Sequence, residues 1–126
     1  MKRGTLVKTT VLALLLGTGL ALPVLKSGAE DKAEAKTQTV KGEVVDLMCY
    51  LDHGANGEKH QGCARKCIEG GGPVGLLSGN DLYLVVGDHQ PMNKELGPLA
   101  GQTVSLKGKV VEKHGMKMLE NAEIEK

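Results

Sequence analysis

Alternation of apolar and polar residues predicts five short strands in this chain of 126 residues. The clearest alternation covers residues 103–112, where Val104, Leu106, Gly108 and Val110 share one face, as the period of two in a strand requires. The other strands are predicted at residues 40–47, 73–78, 82–86 and 116–124. The pattern therefore predicts a mainly β protein.

Turn residues divide four of these strands into two hairpins. Gly79-Asn80-Asp81 is strong turn chemistry between the second and third strands, and His114-Gly115 connects the fourth to the fifth. A change of parity near Leu119 predicts a bulge in the last strand. Residues 91–96 predict a short helix, which Gly97-Pro98 would end.

The order of elements is strand, insertion, strand, strand, helix, strand, strand, which is the order of an OB-fold barrel. We therefore expect a five-stranded OB-fold-like barrel at residues 40–126, with a helical insertion at residues 48–72 between the first two strands. The closing segment, GQTVSLKGKVVEKHGMKMLENAEIEK, resembles the last two strands of small exported bacterial OB-fold domains. In an OB-fold, the loop that holds this insertion lies on the ligand-binding face.

The first 29 residues have the layout of a secretory signal peptide. Three basic residues within residues 1–8 precede an apolar run at residues 9–25, and Ser27-Gly28-Ala29 supplies the small residues of a cleavage site. The competing interpretation is a retained membrane anchor, although the run is at the short limit for a spanning helix. We expect a periplasmic or extracellular protein in which the polar residues 30–39 form a flexible tether.

Composition limits both the core and the partners. With no Trp, no Phe and two Tyr residues, the core must be built from aliphatic residues and Met, and small domains are marginal in buried area. Met116 and Met118, at strand spacing, are expected to fill it. Loss of residues 1–29 would leave 12 basic against 15 acidic residues, a net charge of −3. Nucleic acid is excluded as a partner, because its binding favours positive charge and stacking aromatics.

The insertion contains every cysteine of the chain. Residues 59–69 (KHQGCARKCIE) predict a helix, which the following Gly-Gly-Gly-Pro stops. Because a helix advances about 100° per residue, His60, Cys63 and Cys67 should lie within about 60° of one another. Cys49, at the end of the first strand, would close over this stripe. The result is a Cys3His ligand set suited to zinc or to Cu(I).

The insertion also offers additional metal ligands, and its cysteines could instead form a disulfide. His53 and Met48, one in the loop and one beside Cys49, are candidate additional ligands. The alternative to a metal is a disulfide from Cys49 to Cys63 or Cys67, which would fix the insertion to the barrel. The motif CYLDHGANGEKHQGCARKCIEGGGPVG resembles one in small exported bacterial proteins without an assigned activity. That resemblance implies an exported location and a cysteine site.

Three functions compete on these observations. The first is an exported metal carrier, chaperone or sensor, and the second is a disulfide-stapled structural or interaction module without metal. The third, a thiol redox protein using Cys63 or Cys67, is disfavoured because an enzyme needs a base or resolving partner beside the thiolate and C-x(3)-C is not the C-x-x-C of disulfide oxidoreductases. No Ser-His-Asp set or carboxylate pair stands out elsewhere, so an enzyme is the less favoured interpretation. The expected partners are a metal ion and another exported or membrane protein. Contact with a membrane itself would require retention of the signal segment.

Overall fold

The computed structural model describes residues 36–126. The elements in chain order are β1 (Thr37–Asp46), α1 (Leu47–His53), a 3-10 turn (Glu58–His60), α2 (Gln61–Glu69), β2 (Val74–Ser78), β3 (Asp81–Val85), α3 (Asn93–Leu96), a second 3-10 turn (Gly97–Leu99), β4 (Thr103–Lys113) and β5 (Met116–Ile124). The expected signal segment, residues 1–29, and residues 30–35 of the expected tether lie outside the described residues. Across residues 36–126, no helix is both long enough and apolar enough to span a membrane.

The five strands close into a barrel in the order β1-β2-β3-β5-β4. β1 pairs antiparallel with β2 on one side and with β4 on the other, whereas β3 and β5 run parallel. The helices α1 and α2 lie between β1 and β2 in the chain. The prediction of an OB-fold-like, five-stranded barrel with a cysteine-containing helical insertion is confirmed.

The barrel core is aliphatic, as the composition requires. Val44, Leu76, Leu106 and Leu119 are fully buried inside the barrel, and each comes from a different strand. Ile68 of α2 is also fully buried and belongs to the same core cluster. The insertion is therefore packed onto the barrel, which fixes the position of the cysteines that α2 carries.

The ends of β1 differ from the sequence-based expectation. The strand begins at Thr37, so the last three residues of the expected tether belong to the barrel. Their side chains are exposed while their backbones pair with β4 residues 107–109, and an apolar pattern cannot reveal such pairing. At the other end, Leu47 is the first residue of α1 instead of the last residue of the strand.

The predicted bulge is present in β5. Lys107 pairs with Glu123 and Lys109 with Glu120, so β5 contains one residue more than β4 across this step. Asn121, within the step, has a φ of 52°, a conformation that Asn adopts more readily than most residues. The extra residue explains the change of parity.

Met116 is not a core residue, and this part of the expectation is wrong. Its side chain is 68 % exposed, whereas Met118 is half-buried. Met116 pairs with Lys113 at the turn of the β4–β5 hairpin, and β5 joins β3 only from Lys117 onward. Strand spacing alone does not bury a side chain that precedes the barrel wall.

Candidate metal centre

Cys49 is positioned by a short helix that the hydrophobic pattern did not predict. Asp46, the last residue of β1, accepts a hydrogen bond from the backbone N–H of Cys49 through Oδ1 at 2.8 Å, and it thereby caps the first turn of α1. Gly54 ends the helix in the left-handed conformation, with φ of 70°, which glycine adopts at no steric cost. These two caps place Cys49 in the first turn of α1, next to the barrel.

Cys63 and Cys67 are positioned by α2. Ala64 and Ile68 face the core, and each follows a cysteine directly in the sequence. Cys63 and Cys67 are about one helical turn apart, so they lie on one stripe of α2. That stripe is adjacent to the face that packs against the core. Cys67 is half-buried and Cys63 is exposed.

The C-terminal end of α2 is held by a side chain from outside the insertion. The Nδ2 amide of Asn93 donates hydrogen bonds to the backbone oxygens of Ile68 and Gly72, both at 2.6 Å. These carbonyls belong to the last turn of the helix and to the segment after it, where backbone acceptors need partners. Asn93 therefore fixes the turn that carries Cys67.

The structure brings the three cysteines together. The Sγ atoms of Cys49, Cys63 and Cys67 all lie within 4.8 Å of one another, and the three thiols are not bonded to each other. Three sulfurs on one tetrahedral zinc ion stand about 3.8 Å apart, since each Zn–S bond is about 2.3 Å. A contraction of at most about 1 Å would therefore let the three sulfurs bind one ion.

The other sequence-predicted ligands do not belong to this cluster. His60 is the residue before α2, at the end of the 3-10 turn. Among the described residues, the three sulfurs are the only group of three or more candidate ligands whose donor atoms lie close together. The ring of His60 stands instead 6.3 Å from that of His53. Met48 is 65 % exposed on α1.

A buried carboxylate adjoins the cluster. Asp46 is 1 % exposed, and its Oδ2 meets no donor with hydrogen-bond geometry among the described residues. The Cys49 thiol faces this carboxylate. Hydrogen bonding to Asp46 is the largest of the effects that raise the pKa of Cys49 to about 12, followed by burial and, more weakly, the neighbouring Cys67. Without metal, this thiol stays protonated at neutral pH, so metal binding there must release a proton.

Gly72 is required by the close approach of Asp46 to the end of α2. A Cβ atom at this position would lie 2.7 Å from Oδ2 of Asp46 and 2.8 Å from the backbone oxygen of Cys67, well inside normal contact distances. The absence of a side chain at residue 72 thus lets the carboxylate, α1 and α2 pack against each other beside the sulfurs.

Sequence reasoning missed Asp46 and Asn93 as supporting residues. Asp46 was recognisable as a helix N-cap, because an Asp directly before several helix-forming residues is a start signal and Gly54 follows as the stop. Asn93 had no local signal, since its two acceptors are 21 and 25 residues away in the chain.

The fold and this site together define a class, a small OB-like barrel that carries a three-thiol cluster on a helical insertion. Comparison of the chain with protein-family models, curated proteins and solved structures finds no match. The function must therefore be argued from the site itself.

Proposed function

We propose that this chain is an exported metal-binding protein, a carrier, chaperone or sensor, that holds zinc or Cu(I) through Cys49, Cys63 and Cys67. The observation that carries the proposal is the convergence of three Sγ atoms within 4.8 Å. Thiolate is the preferred ligand of both ions, and sets with three sulfurs and one further donor are established for tetrahedral zinc.

The support around the sulfurs favours a built site over a chance cluster. Two helices deliver the cysteines, and each is anchored independently: α1 by the Asp46 cap and α2 by the buried Ile68 and the Asn93 hydrogen bonds. Ligands held by supporting contacts bind a metal with less ordering of the chain. A disulfide needs two of the three thiols, whereas a metal uses all of them.

The fourth ligand that we propose is His60. His60 precedes Cys63 by three residues, just before the start of α2. Rotation of its side chain away from His53 would bring the imidazole to the fourth coordination position of an ion held by the three sulfurs. His53 and Met48 are the remaining candidates. Of these, the exposed Met48 thioether would favour Cu(I) over zinc.

One experiment separates the metal site from the disulfide alternative. The full chain is produced in a bacterial host, purified without reductant, and analysed for metal content and free thiols together. The metal site predicts one ion per chain and three thiols that react only after chelation. One disulfide, one reactive thiol and no metal would contradict it, and would favour the stapled module with Cys49 joined to Cys63 or Cys67.

Variants test the proposed ligands individually. Cys67→Ser and His60→Ala should each weaken zinc affinity by more than about tenfold, because loss of a ligand should cost at least as much as loss of a group that only supports one. His114→Asn is the matched control, because His114 lies in an exposed turn with φ of 53°, which Asn tolerates. Equal affinity of His60→Ala and the control would remove His60 from the ligand set.

Export is part of the proposal and has a separate test. The layout of residues 1–29 supports it, and fractionation of an expressing bacterium with mass determination of the product would check it. A periplasmic or secreted product that begins at Glu30 is expected. A full-length product in the cytoplasmic fraction would refute export, and a full-length product in the membrane would favour the retained anchor.

A further inference from the structure

Two imidazoles, one from the last residue of α1 and one from the residue before α2, stand side by side. The ring centroids of His53 and His60 are 6.3 Å apart and their planes are inclined by 60°. Two imidazoles that share one tetrahedral zinc ion hold their centroids about 5 Å apart, because each Zn–N bond is about 2 Å long. A movement of about 1 Å would therefore let both rings bind one ion.

A carboxylate already orients one of the two rings. Nδ1 of His53 lies 3.2 Å from Oδ2 of Asp52. An ionised carboxylate only accepts hydrogen bonds, so Nδ1 must carry the hydrogen, and in the neutral ring the lone pair is on Nε2. In many metal-binding histidines, one ring nitrogen donates a hydrogen bond to a carboxylate while the other nitrogen binds the metal.

Each imidazole is close in sequence to a cysteine of the cluster. His53 follows Cys49 by four residues on α1, so these two share one side of that helix. His60 precedes Cys63 by three residues, from the position just before α2. The His53 side chain is 54 % exposed, whereas Cys49 and Cys67 are half-buried. An ion from solvent therefore reaches the exposed His53 and Cys63 before the two half-buried sulfurs.

We propose that His53 and His60 form an outer acquisition position for a divalent ion that accepts imidazole nitrogen, such as Zn²⁺ or Co²⁺. His60 faces His53 in this position and turns toward Cys63 when the ion moves to the thiolates, so one imidazole stays with the ion during transfer. The proposal rests on the proposed function of the neighbouring thiols, and it adds the route by which they are loaded.

The test follows loading of the reduced, metal-free full chain with Co²⁺ alone under anaerobic conditions. A nitrogen-ligated cobalt spectrum is expected first, and the sulfur-to-cobalt charge-transfer band of the thiol site should follow it. His53→Ala should lack the early spectrum and develop the charge-transfer band at least about tenfold more slowly, with the same final intensity. His114→Asn, the control, should behave as the parent chain does.

The outcomes separate this inference from the function on which it rests. Equal loading rates of His53→Ala and the parent chain would overturn the acquisition position while leaving the thiol site intact. A parent chain that never develops the charge-transfer band would overturn the thiol site. In that case, nitrogen-ligated cobalt that His53→Ala abolishes would still support the imidazole position, and no bound cobalt at all would overturn both.

Discussion

Alanine at residue 72 should destabilise the protein, although the same change ten residues earlier should stabilise it. The Cβ of Gly72→Ala would lie 2.7 Å from Oδ2 of Asp46 and 2.8 Å from the backbone oxygen of Cys67. Asp46 is 1 % exposed, and the second atom belongs to the main chain, so neither can withdraw without disturbing its neighbours. Overpacking of this kind costs about 1–3 kcal/mol.

Gly62→Ala, in α2 itself, is the matched control for Gly72→Ala, which lies in the segment after α2. Gly62 is exposed in α2, and a Cβ there would meet nothing within 4 Å. Glycine in a helix is less favourable than alanine by about 0.5–1 kcal/mol. The two variants should therefore differ in unfolding free energy by about 1.5–4 kcal/mol, with opposite signs relative to the parent chain.

Urea unfolding of the reduced, metal-free chain measures this difference directly. Zinc affinity should also fall in Gly72→Ala and stay unchanged in Gly62→Ala, because only the former displaces the turn that carries Cys67. The reasoning would be refuted by a Gly72→Ala variant as stable as the parent chain. A stability loss in both variants would also refute it, because it would show that an added methyl group is not tolerated anywhere in this segment.

Three further changes test other contacts. Asn93→Ala leaves two backbone oxygens without their 2.6 Å partners and should cost about 1–3 kcal/mol in urea unfolding; an unchanged midpoint would refute its role as an anchor. Leu106→Ala, at 0 % exposure, should cost about 2–5 kcal/mol, and a loss below 1 kcal/mol would contradict the described core. Asp46→Asn keeps a helix cap but removes the charge that helps raise the pKa of Cys49 to about 12. Alkylation of the Cys49 thiol at pH 9 should therefore be faster, and an unchanged rate would argue against the contact between Asp46 and this thiol.

The last variant also changes the dependence of stability on pH. In the metal-free protein, the pKa of Cys49 is raised from 9.0 to about 12, so above pH 9 the unfolded chain loses this proton while the folded chain keeps it. Stability should therefore fall as pH rises from 9 toward 12. Asp46→Asn should show a shallower decline in the same range, and identical pH profiles would contradict the assignment.

The fold was predictable from sequence because its strands alternate and its turns carry glycine or asparagine. The β4 pattern and the Gly79-Asn80 turn are local signals that tertiary structure did not override. The start of β1 at Thr37 was not predictable, because exposed residues joined only by backbone pairing leave no apolar signature. The exposure of Met116 required knowledge of where the barrel wall begins.

The three sulfurs were likewise predictable as neighbours. Helical spacing placed Cys63 and Cys67 on one stripe, and Cys49 was expected to close over them, as the 4.8 Å cluster confirms. The orientation of His60 toward His53 was not predictable, because it depends on the 3-10 turn that separates His60 from the regular helix. Its place among the ligands stays a prediction.

All the proposed and candidate metal ligands lie between residues 48 and 67, whereas the barrel pairs residues that are far apart in sequence, such as Thr37 with Lys109. Short loops close with a smaller entropy loss than long ones, and distant strand pairing is slow for that reason. An ion that meets the chain during folding would find its ligands gathered early. The bound ion would then order the insertion between β1 and β2 before the later strands join the barrel.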